Sequence, residues 1–145
     1  MDWERLRMQL EKILMVISAL IIFILGVVHI TYTFWMPKLT PRDADLKSKM
    51  ETAAPVVSSE TTMWKCWVGF NASHSFGLLF FGLIYGYLAI YKQEVLFGSI
   101  FLLLIGFLLL TGLAVISKLY WFNAPFGGVC ISLMCYVASI VLSLI

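Results

Sequence analysis

Apolar side chains in this sequence come in long blocks and not in alternation. Leu14 to Trp35, Cys66 to Tyr91 and Val95 to Ser117 contain no Asp, Glu, Lys or Arg, and a further uncharged block runs from Leu119 to Ile145. Each meets the roughly 20 residues that a helix needs to cross about 30 Å of hydrocarbon. Strands of a membrane barrel would need only about ten residues of alternating polarity, a pattern these blocks lack. The prediction is an all-α integral membrane four-helix bundle of up-down-up-down connectivity, forming a single domain over residues 1–145. Spans are expected at about 12–36, 62–91, 95–118 and 125–145, which puts both termini on the same side of the lipid bilayer.

The segments between the blocks predict how the spans are joined. Trp3, Leu6, Leu10 and Ile13 recur at helical spacing among charges, so the N-terminal arm is read as an amphipathic helix running into the first span, with Trp3 as its interfacial anchor. Pro37 closes that span because it lacks the N–H that further helix would need. In the long connection, Thr40-Pro41-Arg42-Asp43 reads as an N-cap, a proline at the first helical position and an acid in the first turn. A short amphipathic surface helix is expected to follow and to end near Ala54, before Pro55, with Leu46 and Met50 on its apolar side. The second span is expected to start between Ser58 and Met63. Lys92-Gln93-Glu94 reads as a tight polar turn that makes spans two and three antiparallel neighbours. Tyr120-Trp121-Phe122 marks an interface, and Asn123-Ala124-Pro125 opens the last span.

Composition agrees with a membrane chain: 61% hydrophobic residues, 12% charged, and a formal charge of +2. Acids and bases balance within the N-terminal arm and within the long connection, so no basic stripe points to nucleic acid. Lys and Arg are spread over both sides too evenly to fix the orientation of insertion. Cys66, Cys130 and Cys135 form no C-x-x-C pair and read as small apolar filler, with no metal site expected. The first apolar run is longer than a cleaved leader normally carries and no A-x-A site follows it, so it is read as a retained helix.

Between helices in lipid, association depends on close packing through small residues and on a few hydrogen bonds. Span two offers Gly69, Ser73 and Gly77 at four-residue steps and Gly82 with Gly86 on another face; span four offers Gly128, Ser132, Cys135, Ser139 and Ser143. These two spans are expected to make the closest contacts. The same stripes also suit self-association into a homo-oligomer or docking on a membrane partner subunit, and the pattern leaves both uses open.

The candidate site is built around the chain's two histidines. His29 near the end of span one and His74 in span two fall at similar depth, on the order of 10–16 Å below the long-connection side at about 1.5 Å per residue. Thr33, Asn71, Ser73 and Ser75 lie nearby in sequence, Gly26 leaves room for close approach, and Trp67, Phe70 and Phe81 share much of the His74 face. The plainest reading is neutral imidazoles hydrogen-bonded to Asn71 or Thr33 as interhelical glue. A second is a pocket for a lipid- or quinone-like ligand, with His29, Thr33, Trp67, Asn71, His74 and Ser75 as its lining. A third is axial ligation of haem b by His29 and His74, in an electron-transfer subunit. A small membrane enzyme or transporter is the remaining class. No acid lies within a span to share a proton, and neither G-x-S-x-G nor H-E-x-x-H is present. No catalytic residue is assigned, and a binding or structural, assembly-type protein is the leading expectation.

The segment Trp64-Lys-Cys-Trp-Val-Gly-Phe-Asn-Ala-Ser-His-Ser75, with Gly26-Val-Val-His29 and Lys118-Leu-Tyr-Trp121, resembles an uncharacterised family of small four-span bacterial membrane proteins. The likeness covers most of the chain and rests chiefly on the Phe-Asn-Ala-Ser-His-Ser core. It implies a multi-pass protein of the bacterial inner membrane and brings no activity with it.

Overall fold

The structure, a computed structural model, describes residues 3–145. Six α-helices and no strand occur among these residues: α1 (Trp3–Phe34), α2 (Ala44–Thr52), α3 (Met63–Tyr91), α4 (Gln93–Phe97), α5 (Ile100–Tyr120) and α6 (Asn123–Ser143), with a 3-10 turn at Pro37–Leu39. Four of them, α1, α3, α5 and α6, are long and apolar enough to cross a membrane. Large apolar side chains such as Leu20, Ile24, Phe80, Leu108 and Met134 face outward on all four. Water would penalise that surface and acyl chains would not. The protein is an all-α, multi-pass integral membrane protein built as a helical bundle. At about 1.5 Å per residue, the 21 residues of α5 and of α6 match the hydrocarbon thickness. With 32 and 29 residues, α1 and α3 exceed it and must tilt or project into the interface.

The chain divides into two compact units. The larger comprises the residues up to Leu25 together with Leu78–Ile145. Its core is Met15, Ala19, Ile22, Leu78, Phe81, Tyr85, Ala89, Leu96, Leu110, Leu113, Val129 and Tyr136. Because apolar burial contributes little between helices already in lipid, hydrogen bonds and close approach decide how they fit. The Ser132 hydroxyl donates to the Ser18 carbonyl at 3.0 Å, so Ser18 is the donor in the 2.9 Å contact between the two hydroxyls. Two turns away, Ser139 donates to the Glu11 carbonyl at 2.7 Å, and the pairings 18 with 132 and 11 with 139 make α1 and α6 antiparallel. Tyr85 and Tyr136 send their hydroxyls to the carbonyls of Leu102 and Leu103, at 2.6 and 2.9 Å. Those rings need the space that Gly106 leaves, since a Cβ there would run into both. Gly82 lets α3 close on α1, where an added Cβ would lie 2.5 Å from Phe23 Cβ and 2.8 Å from the Ala19 carbonyl oxygen.

The smaller unit is Gly26–Gly77. Its connecting segment is fastened to the start of α3 at three points. The Met63 N–H donates to the Ala53 carbonyl at 2.8 Å, Trp67 Nε1 donates to the Leu39 carbonyl at 2.9 Å, and Lys47 lies over the Trp64 ring at 5.3 Å. Between α2 and α3 the chain turns at Pro55 to Ser58, leaving Val56 and Val57 109% and 90% exposed.

Three local expectations are corrected. The surface helix is capped by Asp43 and not by Thr40, and Pro41 lies outside it: the Asp43 carboxylate accepts from Asp45 N at 2.9 Å and Leu46 N at 3.4 Å, while the Thr40 hydroxyl is committed to the Pro37 carbonyl. The link between the second and third spanning helices is longer than a tight turn. Lys92 leads into α4, and the helix restarts at Ile100 because Ser99 caps it through Leu102 N. The small-residue stripes of α3 and α6 do not seek each other. Ser132 and Ser139 of α6, and Gly82 of α3, all close on α1, whereas Gly69 and Gly77 have nothing within 4 Å of a built Cβ.

Candidate functional site

The polar cluster lies wholly within the Gly26–Gly77 unit, on the last turns of α1 and the first turns of α3. Residues 67, 71, 74 and 75 recur at steps of three and four, so Trp67, Asn71, His74 and Ser75 share one face of α3. Asn71 and Ser75 are buried and the two histidines partly so.

Hydrogen bonds fix how each group is used. Asn71 Nδ2 donates back to the Trp67 carbonyl at 2.7 Å, which leaves Asn71 Oδ1 as the acceptor facing His29 Nε2 at 3.0 Å. His29 must therefore carry a proton on Nε2, and in the neutral ring Nδ1 is the bare nitrogen. Ser75 donates to the Asn71 carbonyl at 2.9 Å and Thr33 to the His29 carbonyl at 2.8 Å, so both hydroxyls serve their own helices. The His29 and His74 rings meet edge to face, with centroids 5.2 Å apart and planes at 78°.

The structure thus brings His29, Asn71 and His74 together, with Ser75 bracing the backbone of Asn71. Thr33 and Trp67 lie on the rim, where a crevice of about 10 Å³ is lined by Tyr32, Thr33, Leu39, Thr40, Trp64, Trp67, Val68 and Asn71. That is room for about one water, far below the roughly 300 Å³ at which ligand clefts begin. Ser73 and Phe70 turn outward, Ser73 donating to the Phe70 carbonyl at 2.9 Å and Phe70 being 72% exposed, so neither walls the imidazoles. Phe81 belongs to the aromatic stack of the larger unit, 4.4 Å from Tyr85. Tyr32, Thr40 and Trp64 are not among the site residues expected from the sequence. Trp64 could have been, lying three residues before Trp67 and seven before Asn71 on the same helical face, but Thr40 joins only through the path of the connection.

The imidazole pair does not suit haem. Two axial ligands must present nitrogens to each other across the plane of a macrocycle, whereas here an edge meets a face and Nε2 of His29 is engaged by Asn71. No group of three or more His, Cys, Asp or Glu side chains able to hold a metal occurs among the described residues. Nor is a serine nucleophile prepared, because the protons of Ser73 and Ser75 are already donated to backbone carbonyls.

Comparison of the chain with protein-family models, curated proteins and solved structures finds no match to any of them.

Proposed function

We propose that the chain is a non-catalytic assembly subunit of the bacterial inner membrane, inserted with both termini on the same side. In this reading His29, Asn71 and His74 hold the hairpin of α1 and α3, and the outer face of α3 receives a further helix, from a second copy or a partner subunit. An even number of crossings returns a chain to the side on which it began, and four helices are long enough to cross.

The observation that carries the reading is a contrast between two faces of one helix. The inner face is closed: Asn71 is bonded to His29 and to the Trp67 carbonyl, Ser75 to the Asn71 carbonyl, and the crevice beside them admits about one water. The outer face is open. Gly69, Ser73 and Gly77 are exposed at four-residue steps, the two glycines with nothing within 4 Å, and Phe70 and Phe76 stand out as ridges 72% and 50% exposed. A smooth groove of small residues between bulky ridges is what close helix approach in lipid uses.

Exposed Cys66 lies on that same outer face and serves as the reporter. With Cys130 and Cys135 replaced by Ser, oxidation of the full chain in bilayers is expected to join two copies through Cys66, or to join one copy to a co-purifying subunit. The double change Gly69→Leu and Gly77→Leu is expected to abolish this at unchanged helix content. A monomer without crosslink or companion would overturn the reading, as would a small molecule bound one per chain and released by Asn71→Leu.

A further inference from the structure

Among the described residues a single acid is buried: Glu11 of α1, in the larger unit, 9% exposed and three residues ahead of the uncharged run that begins at Leu14. Its main chain is well served, since the Ser139 hydroxyl of α6 donates to its carbonyl at 2.7 Å. Its carboxyl is not, for no hydrogen bond or ion pair reaches it from the described residues. The donors placed near it are turned elsewhere or left idle. Lys12 donates to the Ile90 carbonyl at the end of α3, at 3.2 Å. Arg7 Nε, one turn before Glu11, and Gln93 Nε2, three residues past Ile90, are buried and meet no acceptor.

Spacing does not explain the gap between Arg7 and Glu11. They stand four residues apart, as do Asp45 with Lys49 and Lys47 with Glu51 on α2, and those exposed pairs close to 2.8 and 3.5 Å. Lys47 and Glu51 even share the order of base before acid. A carboxylate beside a cation one turn away is drawn to it, whereas a carboxylic acid feels no such pull. Burial without a donor makes the ionised form costly and favours the neutral one. Burial accordingly pushes Glu11 above the ordinary carboxylate range, against a smaller opposing effect of the Arg7 charge. The packed elements add no other charge to the balance. No charged residue occurs in α6, whose Tyr136 gives its proton to the Leu103 carbonyl, and Lys92 and Glu94, just past the end of α3, are exposed.

We infer that the Glu11 carboxyl is a proton-binding site that sets how tightly α1 holds to α6 and to the end of α3. With its proton in place the group is neutral and stays buried. On giving that proton to water it becomes a carboxylate, which turns back one turn of helix to accept from Arg7, whose Nε–H lacks an acceptor, and leaves its buried position. Docking and proton uptake are thereby linked. The buried carboxyl holds its proton more tightly than a free one, so the contact is complete at low pH and weakens as the pH rises through the midpoint of the buried group.

Carboxyl-carbon NMR of the full chain in bilayers, with its glutamates isotopically labelled, tests the assignment, Glu11 being the signal that Glu11→Gln removes. Its titration midpoint is expected above the ordinary 4.5, and Arg7→Gln is expected to move it higher. Hydrogen exchange supplies the structural readout. After correction for the intrinsic rate, protection at residues 8–12 should fall as the pH rises through that midpoint, by up to about tenfold per pH unit. Glu11→Gln keeps the size and removes the charge, so its protection should stay level over the same range. A midpoint at or below 4.5 would overturn the inference, as would an unchanged midpoint in Arg7→Gln, which would mean that the two side chains do not pair. Level protection in wild type, or an equal fall in Glu11→Gln, would overturn it as well. None of these results depends on the outer face of α3.

Discussion

His29 donates from Nε2 to the side-chain oxygen of Asn71 across 3.0 Å, and Asn71 turns its amide nitrogen back to the carbonyl of Trp67. One side chain thereby ties two helices and braces its own. A double-mutant cycle with His29→Ala and Asn71→Ala, read by unfolding in mixed micelles, is expected to give a coupling of about 0.6–1.7 kcal/mol, the range for interhelical bonds in membrane proteins. Nitrogen NMR of the imidazole should report the Nε2–H tautomer in wild type. Additive single changes, or an Nδ1–H ring, would contradict this geometry.

Glycines that look alike in sequence should behave oppositely. Gly82→Ala pushes a Cβ against Phe23 and the Ala19 carbonyl and is expected to destabilise by about 1–3 kcal/mol. Gly69→Ala meets nothing within 4 Å and should leave monomer stability within about 0.5 kcal/mol of wild type. Unfolding curves of the two variants in the same micelle make the comparison.

Ser132 and Ser139 separate one lost bond from two. Ser132→Ala removes the donor to the Ser18 carbonyl and also strands the Ser18 hydroxyl in a fully buried position, at an expected cost of about 1–3 kcal/mol. Ser139→Ala removes one donor to a carbonyl, and about 0.6 kcal/mol is expected. Equal losses from the two would argue against the doubly bonded arrangement at Ser132.

Capping of α2 by Asp43 is a local matter. Asp43→Ala is expected to weaken that helix by about 0.5–2 kcal/mol, while Thr40→Val leaves it unchanged. Hydrogen exchange at residues 45–49 should register the first and not the second.

The spanning helices were legible because uncharged runs of this length have one stable form in hydrocarbon, and the nearness of His29 to Asn71 followed from depth and helical spacing. Azimuth was not legible. Four-residue steps identify Gly69, Ser73 and Gly77 as a stripe, but which neighbour a stripe meets depends on the rotation of each helix, and α1 took the contacts that α3 and α6 were expected to share. Thr40 and Asp43 both have capping side chains, so only the path of the chain decides between them, and that path includes a 3-10 turn at Pro37–Leu39 which diverts the Thr40 hydroxyl. The break after α4 was hidden for a related reason, since Gly98-Ser99 interrupts an apolar run without changing its charge. The crevice beside Asn71 draws Leu39 and Thr40 from a connection whose course no periodicity describes.

The three fastenings between the connection and the start of α3, to Ala53, Leu39 and Lys47, leave the valine pair at its tip with no part in holding the fold. A peptide tag inserted between Val56 and Val57 should therefore be accepted without loss of structure, and a chain nicked there should remain one particle. The tip is thus a natural place to attach a label that reports from which side of a living cell this protein can be reached.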